Sequence, residues 1–247
     1  MNEYSKILLK KDYIWEQIRQ KIDNFSKENI WQKTDDTLVT EIDFFISDLF
    51  EEIIKDEFKN LNFLSEEKSN QNTQLKFPLC ILDPIDGTKG FIKRNNEWCV
   101  SIAFFHSEKI DDPKNFSWIF NPVTGFEIDS ISLKNLEVVK PQLDAFISRS
   151  EIKKLHENSF KVEQKGSIAY KLALLAIGET KFHVTIRPKH IWDIAAGTHL
   201  CFQKGHRFYI NNKEELNLTK YLFNGPLVWC NDEQYKNSLS LLKKFDL

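Results

Sequence analysis

The sequence lacks three features: closely spaced cysteines, a membrane-length apolar run and a large excess of charge of one sign. Its four cysteines, Cys80, Cys99, Cys201 and Cys230, lie far apart without a C-x-x-C spacing, which predicts reduced, buried thiols and disfavours a structural zinc site. Apolar runs such as FPLCIL fall far short of the roughly 20 residues that a membrane span needs. Thirty-four basic against thirty-six acidic residues favour neither a nucleic-acid nor a membrane partner. The opening MNEYSKILLKKDY lacks the apolar core of a signal peptide, so we expect a cytoplasmic protein.

The composition that is present is typical of a globular protein. The 247 residues are 41% hydrophobic and 28% charged, with 20 Phe and six Trp for a core. This length allows one large domain or two modest ones. Blocks of strand pattern mix with blocks of helix pattern, which predicts a layered α+β fold. The pattern changes beyond Gly125, and we place a boundary there, between an N-terminal α+β part, 1–125, and a smaller C-terminal α/β part, 126–247.

Apolar spacing predicts the individual elements. Helical spacing occurs over the first 23 residues and again from about Thr40, after the polar stretch KTDDT. Strands are predicted for NFLS, FPLCILD, EWCVSIAFF, FSWIFNP, AFISRS, KFHVTI and NGPLVWC. Later helices are predicted for IAYKLALLAIGE, DIAAGTHLCFQKG and DEQYKNSLSLLKKF, the first two ending at Gly178 and Gly205.

The segment LDPIDGTKGFIKRNNEW places Asp83 and Asp86 three residues apart where a predicted strand ends. Pro84 should stop that strand in the interior of a sheet, and Asp86-Gly87-Thr88 offers a turn whose N–H groups can face an anion. Carboxylate and carbonyl oxygens suit Mg²⁺, and cation ligands beside anion donors suit metal-assisted hydrolysis of a phosphate ester. On spacing alone, D-x-x-D-G can equally be a turn with an Asx hydrogen bond.

Other carboxylates can join this site, and each also has an ordinary structural role. Glu66 and Glu67 follow NFLS, where a solvated charge pair is the common outcome. Asp43 completes TEID, a helix capping box. Asp193 precedes IAAG, where it can N-cap a helix. Spacing alone does not decide between these roles.

Taken together, LSEE, LDPIDGTKGFIKRNNEWCVSIAFF and IWDIAAG resemble the inositol monophosphatase superfamily, a group of lithium-sensitive, magnesium-dependent phosphatases. The resemblance runs from about Val39 to about Val228 and rests on three motifs in order. Within the superfamily, DGTKGFIKRN, FISRS and an apolar helix carrying Lys171 are most similar to the CysQ-type 3′(2′),5′-bisphosphate nucleotidases. The resemblance implies an αβαβα layered sandwich with the metal site between the two parts.

The resemblance implies a centre of two or three magnesium ions. The implied ligands are four carboxylates and one carbonyl: Glu66, Asp83, the Ile85 carbonyl, Asp86 and Asp193. The implied catalytic residues are Glu66, Asp43 and Thr88, of which Asp43 and Thr88 would orient the attacking water. Because these motifs contain no histidine, metals rather than imidazole would carry the acid–base chemistry.

The resemblance also implies the substrate contacts. The backbone of Gly87 and Thr88 would hold the scissile phosphate. Four more residues would contact a nucleotide and its other phosphate: Ser148, Arg149, Ser167 and Lys171. Arg149 and Lys171 are suitable types for that phosphate, and surface solvation is the alternative for both. The chain departs from the family pattern here, since Ser167 and Lys171 stand four residues apart rather than three.

The implied function is hydrolysis of the 3′-phosphate of adenosine 3′,5′-bisphosphate, a by-product of sulfate assimilation, by a monomer or homodimer. One alternative is a phosphatase of the same superfamily acting on inositol 1-phosphate or a sugar phosphate. If Arg149→Ala or Lys171→Ala abolishes a preference for the bisphosphate, the result would favour the nucleotide over these phosphates as the substrate. A second alternative is a non-catalytic nucleotide- or metal-binding regulator, which the presence of every implied ligand type disfavours.

Overall fold

The computed structural model describes residues 2–26, 29–33, 38–69, 74–137, 140–156 and 159–245. The helices in these ranges are Lys11–Asp23 (α1), Glu41–Glu57 (α2), Thr88–Ile92 (α3), Arg149–Ile152 (α4), Ile168–Ala176 (α5), Ile191–Gln203 (α6) and Tyr235–Leu242 (α7). The strands are Ile30–Gln32 (β1), Leu38–Thr40 (β2), Asn62–Ser65 (β3), Leu79–Asp86 (β4), Cys99–Phe105 (β5), Phe116–Asn121 (β6), Phe126–Asp129 (β7), Ala145–Ile147 (β8), Val162–Gln164 (β9), Phe182–Thr185 (β10), Lys189–His190 (β11), Arg207–Ile210 (β12), Lys213–Glu214 (β13), Leu222–Phe223 (β14) and Leu227–Cys230 (β15). Short 3₁₀ helices lie at Glu3–Lys10, Glu66–Lys68, Ser132–Asn135 and Asp232–Gln234.

Two sheets organise the molecule. The first has five strands in the order β3-β4-β5-β6-β7, with β3 parallel to β4 and the other neighbours antiparallel. The second has the order β10-β15-β12-β13 and is antiparallel throughout. Smaller pairs are β1-β2, β8-β9 and β11-β14.

The buried side chains show five layers. One core cluster joins α1 and α2 to the face of the first sheet that carries Leu82. A second cluster joins the opposite face, which carries Ile81, to α5, α6 and Trp229 of the second sheet. A third joins Val228, on the far face of that sheet, to Leu241 of α7. The predicted αβαβα sandwich is therefore confirmed.

The central strands are covered on both faces. Every residue of β4, β5 and β6 is buried, which explains why these segments read as nearly continuous apolar runs. Burying one large apolar side chain contributes about 1.5–3 kcal/mol, so a carboxylate in such a strand opposes the stability of the layer. Two of the eight residues of β4, Asp83 and Asp86, are nevertheless carboxylates.

The start of α2 is confirmed by its cap. Thr40 Oγ1 accepts from the Ile42 amide at 3.2 Å, and the Thr40 amide donates to Asp43 Oδ2 at 2.8 Å. The predicted N-terminal helix is divided into a 3₁₀ helix, Glu3–Lys10, and α1. The predicted polar stretch KTDDT lies, beyond Lys33, outside the described residues.

The predicted boundary at residue 125 stays a prediction. The first sheet extends past that residue, because β7 pairs with β6 in antiparallel register. Over the described ranges, no helix is long and apolar enough to cross a membrane.

Candidate active site

The first two carboxylates lie on β4, which does not end at Pro84. The strand continues to Asp86, with Asp83 opposite Ser101 and Asp86 opposite Cys99 of β5. Three steps along β4 therefore match two steps along β5, which makes a β-bulge. An interior strand tolerates proline at a bulge because the extra residue leaves the hydrogen-bond ladder. The prediction that Pro84 ends the strand was wrong for this reason.

The bulge also brings the two carboxylates together. Residues three apart in a regular strand face opposite sides of the sheet. The extra residue of the bulge shifts the alternation by one position. Asp83 and Asp86 consequently face the same layer, where α6 carries Asp193. One oxygen from each of the three lies within 4.8 Å of the others. Three of the predicted metal ligands therefore converge, although Asp86 and Asp193 are 107 positions apart in the chain.

Asp193 lies inside α6 rather than at its N-cap. The helix begins at Ile191 after an extended His190, and Asp193 Oδ2 accepts from the His190 amide at 2.8 Å. The expected N-cap role was wrong by three positions, because His190 already has the extended backbone of a cap. Asp43 repeats this arrangement at the start of α2. Both aspartates thus hold a helix start with one carboxylate oxygen.

Glu66 directly follows β3, and the parallel pairing of β3 with β4 brings it to the edge where Asp83 lies. Its Oε1 accepts from Lys33 Nζ at 2.8 Å, and the same ammonium contacts Glu67 Oε1 at 2.7 Å. The solvated pair considered for Glu66 and Glu67 is therefore a three-member ionic cluster. Although burial alone would lower the pKa of Lys33, Glu66 and Glu67 together raise it.

Burial and mutual repulsion make the carboxylates at this edge of the sheet unfavourable without a divalent cation. Burial raises the pKa of Glu66 to about 8, although the positive charge of Lys33 acts in the opposite direction. Burial followed by the charge of Asp193 raises the pKa of Asp86 to about 6. The pKa of Asp83 rises well above its usual range because burial and the neighbouring carboxylates act in the same direction. Asp83 Oδ1 is buried without a hydrogen-bond partner in the described part of the chain. A divalent cation with oxygen ligands would satisfy that atom and offset the repulsion.

The N-terminus of α5 supports Asp86. Ser167 Oγ donates to Asp86 Oδ2 at 2.6 Å, and the Ala169 amide donates to the same oxygen. Ser167 also caps α5 by accepting from the Tyr170 amide at 3.0 Å. Ser167 therefore positions a metal-ligand candidate in this structure, and its predicted contact with substrate stays a prediction.

The turn after β4 joins two further predicted residues. Thr88 Oγ1 donates to the Ile85 carbonyl at 3.2 Å. Gly87 has φ +95°, and a Cβ there would lie 2.6 Å from the Glu97 carbonyl, so the turn requires glycine. Asp43 is buried, which raises the pKa of its carboxyl to about 7. The orientation of a water by Asp43 and Thr88 stays a prediction.

The predicted contacts for the second phosphate differ in exposure. Arg149 is exposed at the start of α4, whereas Lys171 is 3% exposed, which excludes surface solvation for it. Burial lowers the pKa of Lys171 to about 8, against the opposing charge of Glu151. Ser148 donates to that buried carboxylate. Although burial alone would raise the pKa of Glu151, Lys171 and then the hydrogen bond from Ser148 lower it to about 2.

A cleft of about 560 Å³ opens beside Glu66 and Asp193. Its wall includes two lysines and three rings: Lys33, Lys189, Phe44, His190 and Trp192. The rings of His190 and Trp192 stack with centroids 4.6 Å apart. Sequence reasoning missed Lys189 and Glu151, although they stand four residues before Asp193 and two after Arg149. Their proximity to predicted site residues is the signal that could have found them.

The sequence model of the inositol monophosphatase family matches residues 8–132. The chain belongs to the inositol monophosphatase family. It is 24% identical over 232 residues to the 3′(2′),5′-bisphosphate nucleotidase CysQ of Buchnera aphidicola, covering 85% of this chain and 84% of that protein. It is 27% identical over 198 residues to human inositol monophosphatase 2, covering 68% of this chain and 66% of that protein.

Solved structures show the same fold. An IMPase/NADP phosphatase complexed with Mg²⁺ and phosphate aligns with a TM-score of 0.77 at 22% identity, covering 96% of this chain and 94% of that one. The IMPase of Thermotoga maritima aligns with a TM-score of 0.70 at 18% identity, covering 94% and 92%. The inositol monophosphatase fold expected from the motifs is therefore confirmed.

Proposed function

We propose that this family member is a magnesium-dependent phosphomonoesterase that removes the 3′-phosphate of adenosine 3′,5′-bisphosphate. Family membership supports the broader statement, a phosphatase acting on phosphoric monoesters. The observation that carries the proposal is the convergence of Asp83, Asp86 and Asp193, together with a buried Asp83 oxygen that has no hydrogen-bond partner among the described residues. The reaction adds water across the P–O3′ bond and yields adenosine 5′-monophosphate and inorganic phosphate.

The residues present fit magnesium. Five oxygen donors would hold the ions: Glu66, Asp83, the Ile85 carbonyl, Asp86 and Asp193. When bound, magnesium lowers the pKa of water and offsets charge on the phosphate and the leaving oxygen. The Mg²⁺ and phosphate in the solved relative support this assignment, and two or three ions remain our proposal.

Groups of the chain itself would position the scissile phosphate, the attacking water and the metal ligands. The backbone amides of Gly87 and Thr88 would hold the scissile phosphate, and the Thr88 hydroxyl with Asp43 would orient the attacking water. Ser167 holds Asp86 through its hydroxyl, so the ligand carboxylate keeps one orientation. Lys33 neutralises part of the negative charge at Glu66 and Glu67.

The nucleotide is favoured by two observations. CysQ nucleotidases are among the relatives, with alignments over 85% and 82% of this chain. The cleft wall combines lysines with flat rings, which suits a phosphorylated nucleoside because bases stack on aromatic side chains. A role in sulfate assimilation, lithium inhibition, a cytoplasmic location and a monomeric or dimeric state accompany this proposal as expectations.

Inositol 1-phosphate is the second candidate. The spacing of four between Ser167 and Lys171 departs from the nucleotidase pattern. Human inositol monophosphatase 2 is also among the relatives, at 27% identity. Both observations concern substrate choice and leave the carboxylate cluster unchanged.

The test is phosphate release with Mg²⁺ from adenosine 3′,5′-bisphosphate, inositol 1-phosphate and fructose 1,6-bisphosphate. We expect a strong preference for the nucleotide that Asp86→Asn abolishes and the exposed control Asp111→Asn retains. A preference for inositol 1-phosphate would contradict the proposed substrate and would agree with the proposed metal site. Release from none of the three would contradict the phosphatase assignment.

A further inference from the structure

Lys189 differs from Lys33, the other lysine of the cleft, in its direct contacts with carboxylates. It lies in β11, four residues before Asp193, and its half-buried side chain lines the cleft. Lys33, by contrast, is paired with Glu66 and Glu67. Among the described residues, no carboxylate forms an ion pair or hydrogen bond with Lys189.

A second lysine, Lys171, lies near Lys189. Lys171 lies close enough that Lys189 adds to burial in lowering the pKa of its ammonium, against Glu151. Glu151 is already engaged, because it accepts from Thr185 Oγ1 at 2.5 Å and from the Ile186 amide at 2.9 Å. Lys171 and Lys189 thus lie near each other, and Glu151 is occupied by other donors. An anionic ligand in the cleft would give the Lys189 ammonium a direct charge-assisted hydrogen-bond partner.

Lys189 also occupies the right position relative to the carboxylates. Its charge acts on Asp86, where it opposes the effect of burial on the pKa of that carboxyl. Asp193, the third residue of α6, lines the same cleft as Lys189. A substrate whose scissile phosphate lies at the carboxylates would therefore extend past Lys189. Arg149 is exposed on α4 and Lys171 is buried, whereas Lys189 lines the cleft.

We propose that Lys189 is a specificity-determining residue that binds the phosphate retained in the product. This inference rests on the proposed function and goes further, since it assigns the preference for a bisphosphate to a lysine of the cleft wall. The partner it recognises is the phosphomonoester group that is not cleaved, and a substrate whose only phosphate is the scissile one gains nothing from it.

The test compares adenosine 3′,5′-bisphosphate with adenosine 3′-monophosphate, which lacks the retained phosphate. We expect Lys189→Ala to lower kcat/KM for the bisphosphate about 10- to 100-fold, mainly through KM, because it removes a charge-assisted hydrogen bond. The monophosphate should change less than about 3-fold, and Lys189→Arg should restore most of the difference. Lys204→Ala is the matched control, a half-buried lysine just past the other end of α6.

Equilibrium binding of adenosine 5′-monophosphate, measured by calorimetry, gives a readout without turnover. We expect Lys189→Ala to weaken it about 10- to 100-fold. Equal losses on both substrates, or unchanged binding of the monophosphate product, would overturn the inference. Failure of the proposed function is a separate result, in which the unmodified chain releases no phosphate from the bisphosphate. In that case, binding of adenosine 5′-monophosphate that Lys189→Ala weakens would still show a phosphate contact at Lys189, and no such weakening would overturn it.

Discussion

Two buried clusters of charge meet at α5, and they differ in how far the chain itself balances them. In the first, Asp83, Asp86 and Asp193 bring like charges within 4.8 Å. In the second, Glu151 lies near Lys171 without a direct ion pair between them, and the pKa of Glu151 falls to about 2 because that ammonium and several hydrogen bonds overcome the effect of burial. The first cluster, in which burial raises the pKa of Asp86 to about 6, is incomplete without a ligand.

The difference separates a candidate binding site from a structural cluster of opposite charges. A buried charge with a counter-ion and hydrogen bonds holds the fold, and removing one partner destabilises it. A buried cluster of like charges opposes folding, and it is tolerated where a bound ligand of opposite charge offsets the repulsion. The same residue type, a buried carboxylate, should therefore give mutational effects of opposite kind in the two clusters.

The largest expected effect is on activity at the incomplete cluster. Asp83→Asn should lower phosphate release by about 10³-fold, since electrostatic groups of an active site are worth 10²–10³-fold or more. It should not lower the thermal midpoint of the metal-free protein, because it removes one of several repelling charges. Activity assays and thermal denaturation in chelator measure the two effects.

Asp129→Asn is the control for that prediction. Asp129 is buried, but it accepts from the amides of Ile131 at 2.7 Å and Ser132 at 3.0 Å. Its replacement should lower stability by about 1 kcal/mol and leave activity intact. If Asp83→Asn lowers the metal-free midpoint as much as Asp129→Asn does, the contrast between the clusters is wrong.

The next effect is on stability at the balanced cluster. Glu151→Gln removes the buried negative charge that acts most strongly on Lys171 and that accepts several hydrogen bonds. It should lower the free energy of unfolding by about 3–5 kcal/mol, as measured by urea denaturation. The double variant Glu151→Gln with Lys171→Met should recover a large part of this loss. The exposed Glu163→Gln is the control. No recovery in the double variant would argue against a coupled pair.

A smaller effect is expected where α5 supports the metal site. Ser167→Ala removes the hydrogen bond to Asp86 and should weaken magnesium affinity about 10- to 100-fold, measured by titrating Mg²⁺ against the thermal midpoint. Ser167 has φ +52°, which glycine adopts more easily than alanine. Ser167→Gly should therefore weaken magnesium as much as Ser167→Ala while folding more stably. Unchanged affinity in both variants would separate Ser167 from the metal site.

The smallest expected effect is a pH dependence near Lys171. Because burial lowers the pKa of its ammonium to about 8, its positive charge is present below that pH and is lost above it. KM for adenosine 3′,5′-bisphosphate should rise a few-fold between about pH 7 and about pH 9. The charged or titratable groups facing Lys171 are Glu151, Lys189, Asp86, Glu97 and His183.

Lys171→Arg sharpens the pH test. Arginine stays charged over this range, so the rise in KM should disappear in that variant. Lys171→Gln should show a high KM at every pH. A rise that persists in Lys171→Arg would assign the titration to another group.

Local signals in the sequence predicted much of this protein correctly. The capping box at Thr40 and Asp43 and the stop of α6 before Gly205 are interactions within a few residues, and both are present. The three motifs in order identified the family and with it the layered fold. Pro84 and Asp193 were misjudged locally, because a bulge in a sheet and the exact first residue of a helix depend on partners elsewhere in the chain.

The amino-acid sequence by itself therefore determined the types of ligand and the family, since those follow from residue identity and order. Only the tertiary structure decided which carboxylates are balanced. The bulge in β4 turns Asp83 and Asp86 to one side, α6 adds Asp193, and the charge of Lys171 on α5 acts on Glu151 of α4. Charge balance is a property of distances in space, and no local pattern along the chain encodes a distance between residues far apart in sequence.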